Sequence, residues 1–141
     1  MFHCIVCRDY SLLYEKVNIA LDLYIVLDSS GSIGSQSYEE AKKFLGDLVG
    51  GFIIGKSNVR VGLVIYGSNA RLIFDLKHSY DKDEILSSIQ SVEYLSSSTA
   101  TEDAIRLMTN TGFTEEHGVR ASVEAIPRVA IVLTDGESDI H

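Results

Sequence analysis

The segment LDLYIVLDSSGSIG, residues 21–34, begins as a nearly continuous apolar run and changes at Asp28 into a loop of serines and glycines. Two later segments have the same apolar character, VRVGLVIYG at 59–67 and RVAIVLTD at 128–135. Apolar runs of this length, without alternating polar residues, are typical of parallel strands that are buried on both faces. The sequence therefore predicts a mostly parallel sheet with helices on both of its faces.

Stretches with the periodicity of amphipathic helices separate these strands. They cover residues 37–52, 81–90 and 100–108. A further segment, ARLIFDL at 70–76, follows the second apolar run after a short GSN turn, which predicts one antiparallel strand at the edge of the sheet. The alternation of strands and helices indicates an α/β fold of the doubly wound, Rossmann-like type.

The first helical stretch carries charged residues that we place on its solvent-facing side. They include Lys42 and Lys43, and we expect Glu39 to pair with Lys43, four residues later. Ser35 or Ser37 is expected to cap the start of the helix, because a serine hydroxyl accepts a hydrogen bond from one of the first free N–H groups.

Residues 50–57 read GGFIIGKS and match the phosphate-binding pattern G-x-x-x-x-G-K-[ST] letter for letter. That pattern works where a strand precedes the loop and a helix follows it. Here the predicted order is reversed, with a helix before the loop and a strand after it. We therefore interpret the glycines as a helix end with positive φ and a turn. We predict that Lys56 contacts no phosphate and that the chain binds no ATP.

The charge of the chain limits its partners. Its formal net charge is −8, and no cluster of basic residues is present. Both features argue against nucleic acids and anionic membrane surfaces as partners. No apolar run approaches the roughly 18 residues of a membrane span.

We interpret residues 1–20 as an N-terminal extension. They have neither a basic start nor a long apolar stretch, so we expect no signal peptide. Cys4 and Cys7 are spaced as C-x-x-C, which is compatible with half of a zinc site or with a redox pair. Because no second pair of ligands follows, we favour cysteines that are free or externally paired.

Oxygen-bearing residues follow the predicted strands. Asp28, Ser30 and Ser32 alternate in the loop after the first strand, Asp135 ends the last strand, and Thr99 precedes a helix. In such sheets ligands bind outside the carboxyl ends of the strands. On its own, DSSGS is also typical of a helix cap. Together, two carboxylates and three hydroxyls predict a site for Mg²⁺, or for Mn²⁺ or Ca²⁺.

Three motifs stand in order along the chain: D-x-S-x-S at 28–32, T-x-T-x-x-A-I at 99–105 and T-D-G at 134–136. With them, residues 22–140 resemble the von Willebrand factor A domain. The resemblance implies a metal-ion-dependent adhesion site with the five residues above in the coordinating positions. It also implies that the serines bind directly, that the aspartates act partly through water, and that a Glu or Asp of a protein ligand completes the coordination.

Within that family, residues 113–139 are most similar to the matrix-type A domains of matrilins and fibril-associated collagens. This implies a non-enzymatic, extracellular module for adhesion or matrix assembly, with collagen or another matrix protein as its partner. Two alternatives are a docking module of a complement factor B-like protease proenzyme and an intracellular A-domain scaffold. Ser32 does not lie in a G-x-S-x-G nucleophile motif. Ser30 stands where a haloacid-dehalogenase-like phosphatase would have a second Asp.

The resemblance also bears on the end of the chain. A domains continue beyond T-D-G with two further strands and a helix, so we expect residues 21–141 to form an incomplete A domain. In the family's strand order, residues 128–135 lie between the first strand and the two absent ones. We therefore expect residues 128–135 to form an outer strand of the sheet.

Overall fold

The structure, a computed structural model, describes residues 3–4 and 19–135. Within those residues one sheet contains β1 (His3–Cys4), β2 (Leu21–Asp28), β3 (Val59–Tyr66), β4 (Ala70–Phe74) and β5 (Arg128–Thr134). The α-helices are α1 (Ser35–Gly50), α2 (Lys82–Gln90) and α3 (Thr101–Leu107). A π-helical turn, Met108–Gly112, continues α3, and 3₁₀ turns occur at Glu115–His117 and Ser122–Glu124. The predicted α/β fold is confirmed.

The strand order is β1-β5-β2-β3-β4. β2 lies in the middle and is parallel to both β3 and β5, and β4 is antiparallel to β3, as predicted for the edge. The expectation that β5 would be an outer strand is wrong at its carboxyl end. There β1 pairs with it in antiparallel orientation, His3 opposite Thr134 and Cys4 opposite Leu133. The pairing gives partners to backbone groups that an exposed edge leaves free.

The central strands β2 and β3 are buried on both faces, and their consecutive side chains point to opposite sides of the sheet. Leu23, Ile25 and Leu27 of β2 face a core that includes residues of α1 and α2. Tyr24 and Val26 face a second core that includes residues of α3. β2, β3 and the carboxyl-terminal half of β5 thus have the two-sided burial that the composition of the apolar runs predicts, whereas Arg128 is exposed and Val129 and Ala130 are half-buried.

Residues 50–57 have the predicted order of elements, since they lie between the end of α1 and the start of β3. The absence of ATP binding stays a prediction. The predicted positive φ is wrong, because Gly51 has φ −75°. At position 55 a Cβ would lie 2.8 Å from Oδ1 of Asn58, so any other residue would displace that side chain.

Two details of α1 differ from prediction. Neither serine caps the helix; Gly34, with φ 79° and ψ 150°, occupies the cap position. Lys42 is only 5% exposed and does not face solvent. Its ammonium donates hydrogen bonds to the carbonyls of Gln90 (3.0 Å) and Val92 (3.3 Å), and it pairs with Glu39 at 3.0 Å. The prediction for Lys42 is wrong because its long side chain lies at the margin of the apolar face of α1, from which its ammonium reaches the carbonyls at the end of α2.

The described part of the chain contains no helix that is long and apolar enough to cross a membrane.

Candidate metal centre

Asp28 ends β2 and is fully buried, yet both of its carboxylate oxygens have donors. The backbone N–H of Ser30 donates to Oδ1 at 2.9 Å, and the hydroxyl of Thr134 donates to Oδ2 at 2.8 Å. A buried carboxylate is costly unless it is hydrogen-bonded or paired with positive charge. These two bonds hold the carboxylate in one orientation at the carboxyl edge of the sheet.

The loop that follows brings the two predicted serines together. The hydroxyl oxygens of Ser30 and Ser32 lie 3.1 Å apart, although Ser30 is buried and Ser32 is exposed. The backbone N–H of Gly31 donates to the carbonyl of Ser97 at 2.7 Å, which fixes the loop against the segment before α3. The D-x-S-x-S spacing therefore places one carboxylate and two hydroxyls in a single short loop, as predicted.

Thr99 lies at the same edge, in the segment that leads into α3, and is 7% exposed. That segment is tied to Ser29, whose hydroxyl accepts a hydrogen bond from the N–H of Leu95 at 2.7 Å. The carbonyl of Ser29 accepts a bond from the N–H of Ser96 at 3.0 Å. The N–H of Ala100 donates to the carbonyl of Gly67 at 2.7 Å. These bonds secure the backbone on both sides of Thr99.

Asp135 directly follows β5 and is half-buried. Tyr66 of β3 lies near this position, opposite Asp28 in the strand register. Burial raises the pKa of the Tyr66 hydroxyl, and the Asp28 and Asp135 carboxylates raise it further. Because β5 is adjacent and parallel to β2, the carboxylates at their carboxyl ends, Asp28 and Asp135, lie at the same end of the sheet.

Two residues that hold this edge together were not identified from the sequence. Thr134 belongs to the T-D-G motif, but that motif predicts a role in the site only for its Asp135. Tyr94 donates a hydrogen bond from its hydroxyl to the carbonyl of Ser30 at 2.9 Å and accepts one from the N–H of Gly34 at 3.1 Å. No motif or periodicity marks Tyr94, because its role depends on a contact between positions about 60 residues apart.

The donor set fits a hard cation. At this edge Asp28 and Asp135 carry carboxylates, and Ser30, Ser32 and Thr99 carry hydroxyls. Among residues 3–4 and 19–135, no group of three or more His, Cys, Asp or Glu side chains could hold a metal. Sites of this composition bind Mg²⁺ or Ca²⁺, with water completing the coordination. The residues that could hold such an ion are Asp28, Ser30, Ser32, Thr99 and Asp135.

The model of the von Willebrand factor type A domain family matches residues 22–141. The chain belongs to this family. The match begins at Asp22, the second residue of β2, and extends beyond the end of β5.

Relatives of this A domain include matrix and adhesion proteins. The transmembrane cell adhesion receptor mua-3 of Caenorhabditis elegans is 43% identical over 118 residues, which are 83% of this chain and 3% of the receptor. Matrilin-1 of Gallus gallus is 37% identical over 115 residues, 82% of this chain and 23% of that protein. The collagen alpha-4(VI) chain of Mus musculus is 36% identical over 117 residues, 83% and 5% respectively. The chain thus spans at most 23% of these relatives.

A solved structure with the same fold is proximal thread matrix protein 1 from the mussel byssus. It aligns with a TM-score of 0.79 at 21% identity, over 90% of this chain and 33% of that one. A further structure of that protein, also with a TM-score of 0.79, is described as having a zinc-occupied MIDAS motif. At this identity the likeness establishes the fold of the A domain.

Proposed function

We propose that this A domain is a non-enzymatic adhesion module that binds an acidic side chain of a protein ligand through a divalent cation. One observation carries the proposal: the buried Asp28 carboxylate is held by two hydrogen bonds directly beside the paired hydroxyls of Ser30 and Ser32. The arrangement gathers hard oxygen donors, which Mg²⁺ and Ca²⁺ prefer.

Each predicted ligand has a role in this proposal. Ser30 and Ser32 bind the cation through their hydroxyls, and Thr99 contributes a third hydroxyl. Asp28 and Asp135 supply negative charge, partly through water. The cation is Mg²⁺, or Mn²⁺ or Ca²⁺, and when bound it offers a coordination position to a Glu or Asp of the partner.

The kinds of relatives support an extracellular setting. They are named as an adhesion receptor, a matrilin and a collagen chain, and a protein of the same fold has a metal in its MIDAS motif. These names favour adhesion or matrix assembly over a docking role beside a complement-type protease or an intracellular scaffold. We propose collagen or another matrix protein as the partner.

The domain boundaries are part of the same proposal. Residues 21–141 contribute the A domain, and residues 1–20 form an extension that precedes it and adds β1 to the sheet.

A solid-phase binding assay tests the function. The full chain is applied to surfaces coated with type I collagen or with collagen VI, in Mg²⁺ or in EDTA. We expect binding that EDTA abolishes and that Asp28→Ala removes, whereas the control Asp47→Ala binds normally because Asp47 is an exposed residue of α1. Binding that persists in EDTA would contradict a cation-dependent mechanism. Failure to bind either surface would contradict collagen as the partner.

A further inference from the structure

The hydroxyl of Tyr94 closes the loop that carries Ser32. It donates to the carbonyl of Ser30 at 2.9 Å, with the carbonyl of Gly31 at 3.3 Å as a second acceptor. It also accepts a hydrogen bond from the N–H of Gly34 at 3.1 Å. One side-chain oxygen therefore joins the two ends of residues 30–34.

The backbone N–H of Gly34, at the start of α1, finds its acceptor in the side chain of Tyr94. Gly34 is the cap residue, its φ of 79° is a conformation that side-chain-bearing residues rarely adopt, and it has no side chain with which to cap the helix. Its carbonyl accepts the bond from the N–H of Tyr38. Without the Tyr94 hydroxyl, the N–H of Gly34 would lose its acceptor, and the carbonyl of Ser30 would keep only the longer bond from the N–H of Ile33 at 3.3 Å.

Tyr94 is itself held firmly. Its ring packs against that of Tyr38, with 5.0 Å between the ring centroids and a tilt of 38°. The Tyr38 hydroxyl donates to the carbonyl of Glu93 at 3.0 Å, and the ammonium of Lys42 donates to the carbonyl of Val92 at 3.3 Å. The N–H of Leu95 donates to the hydroxyl of Ser29. The segment around Tyr94 is thus anchored from α1 on one side and from the Asp28 loop on the other.

We propose that Tyr94 is a positioning residue of the cation site, which sets the distance between the Ser30 and Ser32 hydroxyls by closing the loop between them. This inference rests on the proposed cation-binding function. Residues that orient metal ligands without touching the metal typically change its affinity by about 10–100-fold when they are replaced.

The test is calorimetry with Mg²⁺ on the full chain and on two matched variants. Tyr94→Phe removes only the hydroxyl that bridges residues 30–34. Tyr38→Phe removes a hydroxyl from the same ring pair, but that hydroxyl donates to the carbonyl of Glu93 and interacts with Ser29, outside residues 30–34. We expect Tyr94→Phe to weaken Mg²⁺ binding by about tenfold or more, and Tyr38→Phe to change it less than twofold. Urea melts without metal show whether both variants fold.

Amide hydrogen exchange, read by NMR without metal, supplies a second readout. The N–H of Gly34 should exchange faster in Tyr94→Phe than in the unsubstituted chain, because that variant removes its acceptor. In Tyr38→Phe its exchange rate should be unchanged.

Three results would overturn the inference. One is Mg²⁺ affinity unchanged in Tyr94→Phe, and another is an equal loss in both variants, which would indicate general loosening of the segment. In either case the unsubstituted chain still binds Mg²⁺ and the proposed function stands. The third is an unsubstituted, folded chain that binds neither Mg²⁺ nor Mn²⁺, which overturns the proposed function and this inference together.

Discussion

The hydroxyl of Thr134 donates a hydrogen bond to the buried carboxylate of Asp28, with 2.8 Å between the two oxygens. The bond joins the ends of two parallel strands, β5 and β2, that are adjacent in the sheet but come from distant parts of the sequence. It fixes Oδ2 of Asp28 while the N–H of Ser30 fixes Oδ1. The residue before Asp135 therefore helps to orient the first residue of the D-x-S-x-S motif.

Thr134→Val tests this bond. Valine has nearly the shape of threonine but no hydroxyl, so Oδ2 of Asp28 loses its donor. We expect cation affinity, measured by calorimetry, to fall about tenfold or more. Thr134→Ser keeps the hydroxyl and is the control, with affinity close to that of the unsubstituted chain. Equal affinity in Thr134→Val and Thr134→Ser would show that the bond does not matter for the site.

A buried ion pair stabilises the opposite end of the sheet. Asp22 is fully buried, Arg120 is 6% exposed, and the guanidinium lies 2.8 Å from the Asp22 carboxylate. Arg120 also donates through Nη2 to the carbonyl of Asn58 at 2.7 Å. We expect Arg120→Met to lower the free energy of unfolding by about 3–5 kcal/mol, because it leaves the Asp22 charge buried and unpaired.

Urea denaturation measures this loss, and Arg106→Met is the control. Arg106 pairs with Glu102 on the exposed face of α3, where solvent screens the pair, so its loss should change the free energy of unfolding little. In the double variant Asp22→Asn with Arg120→Met, the combined loss should be smaller than the sum of the two single losses. Additive losses would argue against a coupled pair.

Lys42 and its sequence neighbour form a natural comparison. Lys42 is buried and donates to two carbonyls at the end of α2, whereas Lys43 is exposed. We expect Lys42→Met to lower the free energy of unfolding by about 1–3 kcal/mol, because the carbonyls lose a charged donor. Lys43→Met should change it by less than about 0.5 kcal/mol. Similar melting curves for the two variants would contradict the buried role of Lys42.

Stability should fall in alkaline solution. Burial raises the pKa of the Tyr38 hydroxyl to about 12, above its usual value of 10.0. The folded state therefore keeps the proton after the unfolded chain has lost it, so unfolding becomes easier as pH rises. We expect a constant contribution below pH 10 and a progressive loss between pH 10 and 12. Urea melts across this range should show a shallower decline for Tyr38→Phe, and a slope equal to that of the unsubstituted chain would exclude Tyr38 as a cause.

The fold was predictable where the local pattern decides the structure. The apolar runs specified β2, β3 and β5, because β2, β3 and the carboxyl-terminal half of β5 are buried on both faces. The short turn before residues 70–76 specified the antiparallel edge. The pairing of β1 with β5 was not predictable, since it joins the two ends of the sequence. The position of Lys42 was missed because it depends on where α2 ends relative to α1.

In the candidate site, too, the local sequence pattern predicted some features, whereas others depend on tertiary contacts. The spacing of Asp28, Ser30 and Ser32 predicted a shared loop, and the structure brings these residues together. Their roles as cation ligands stay a prediction, as do those of Thr99 and Asp135. The bonds from Thr134 and Tyr94 could not be predicted, because tertiary geometry alone brings a hydroxyl to a specific acceptor.

Isothermal titration of the folded chain with Mn²⁺ and Mg²⁺ tests the central claim most directly. The unsubstituted chain and the control Asp47→Ala should bind one divalent cation, and Asp28→Ala should bind none, because it removes the carboxylate at the centre of the site. Urea melts establish that each variant is folded. Equal cation binding by Asp28→Ala and the unsubstituted chain, or no binding by the folded unsubstituted chain, would contradict the account.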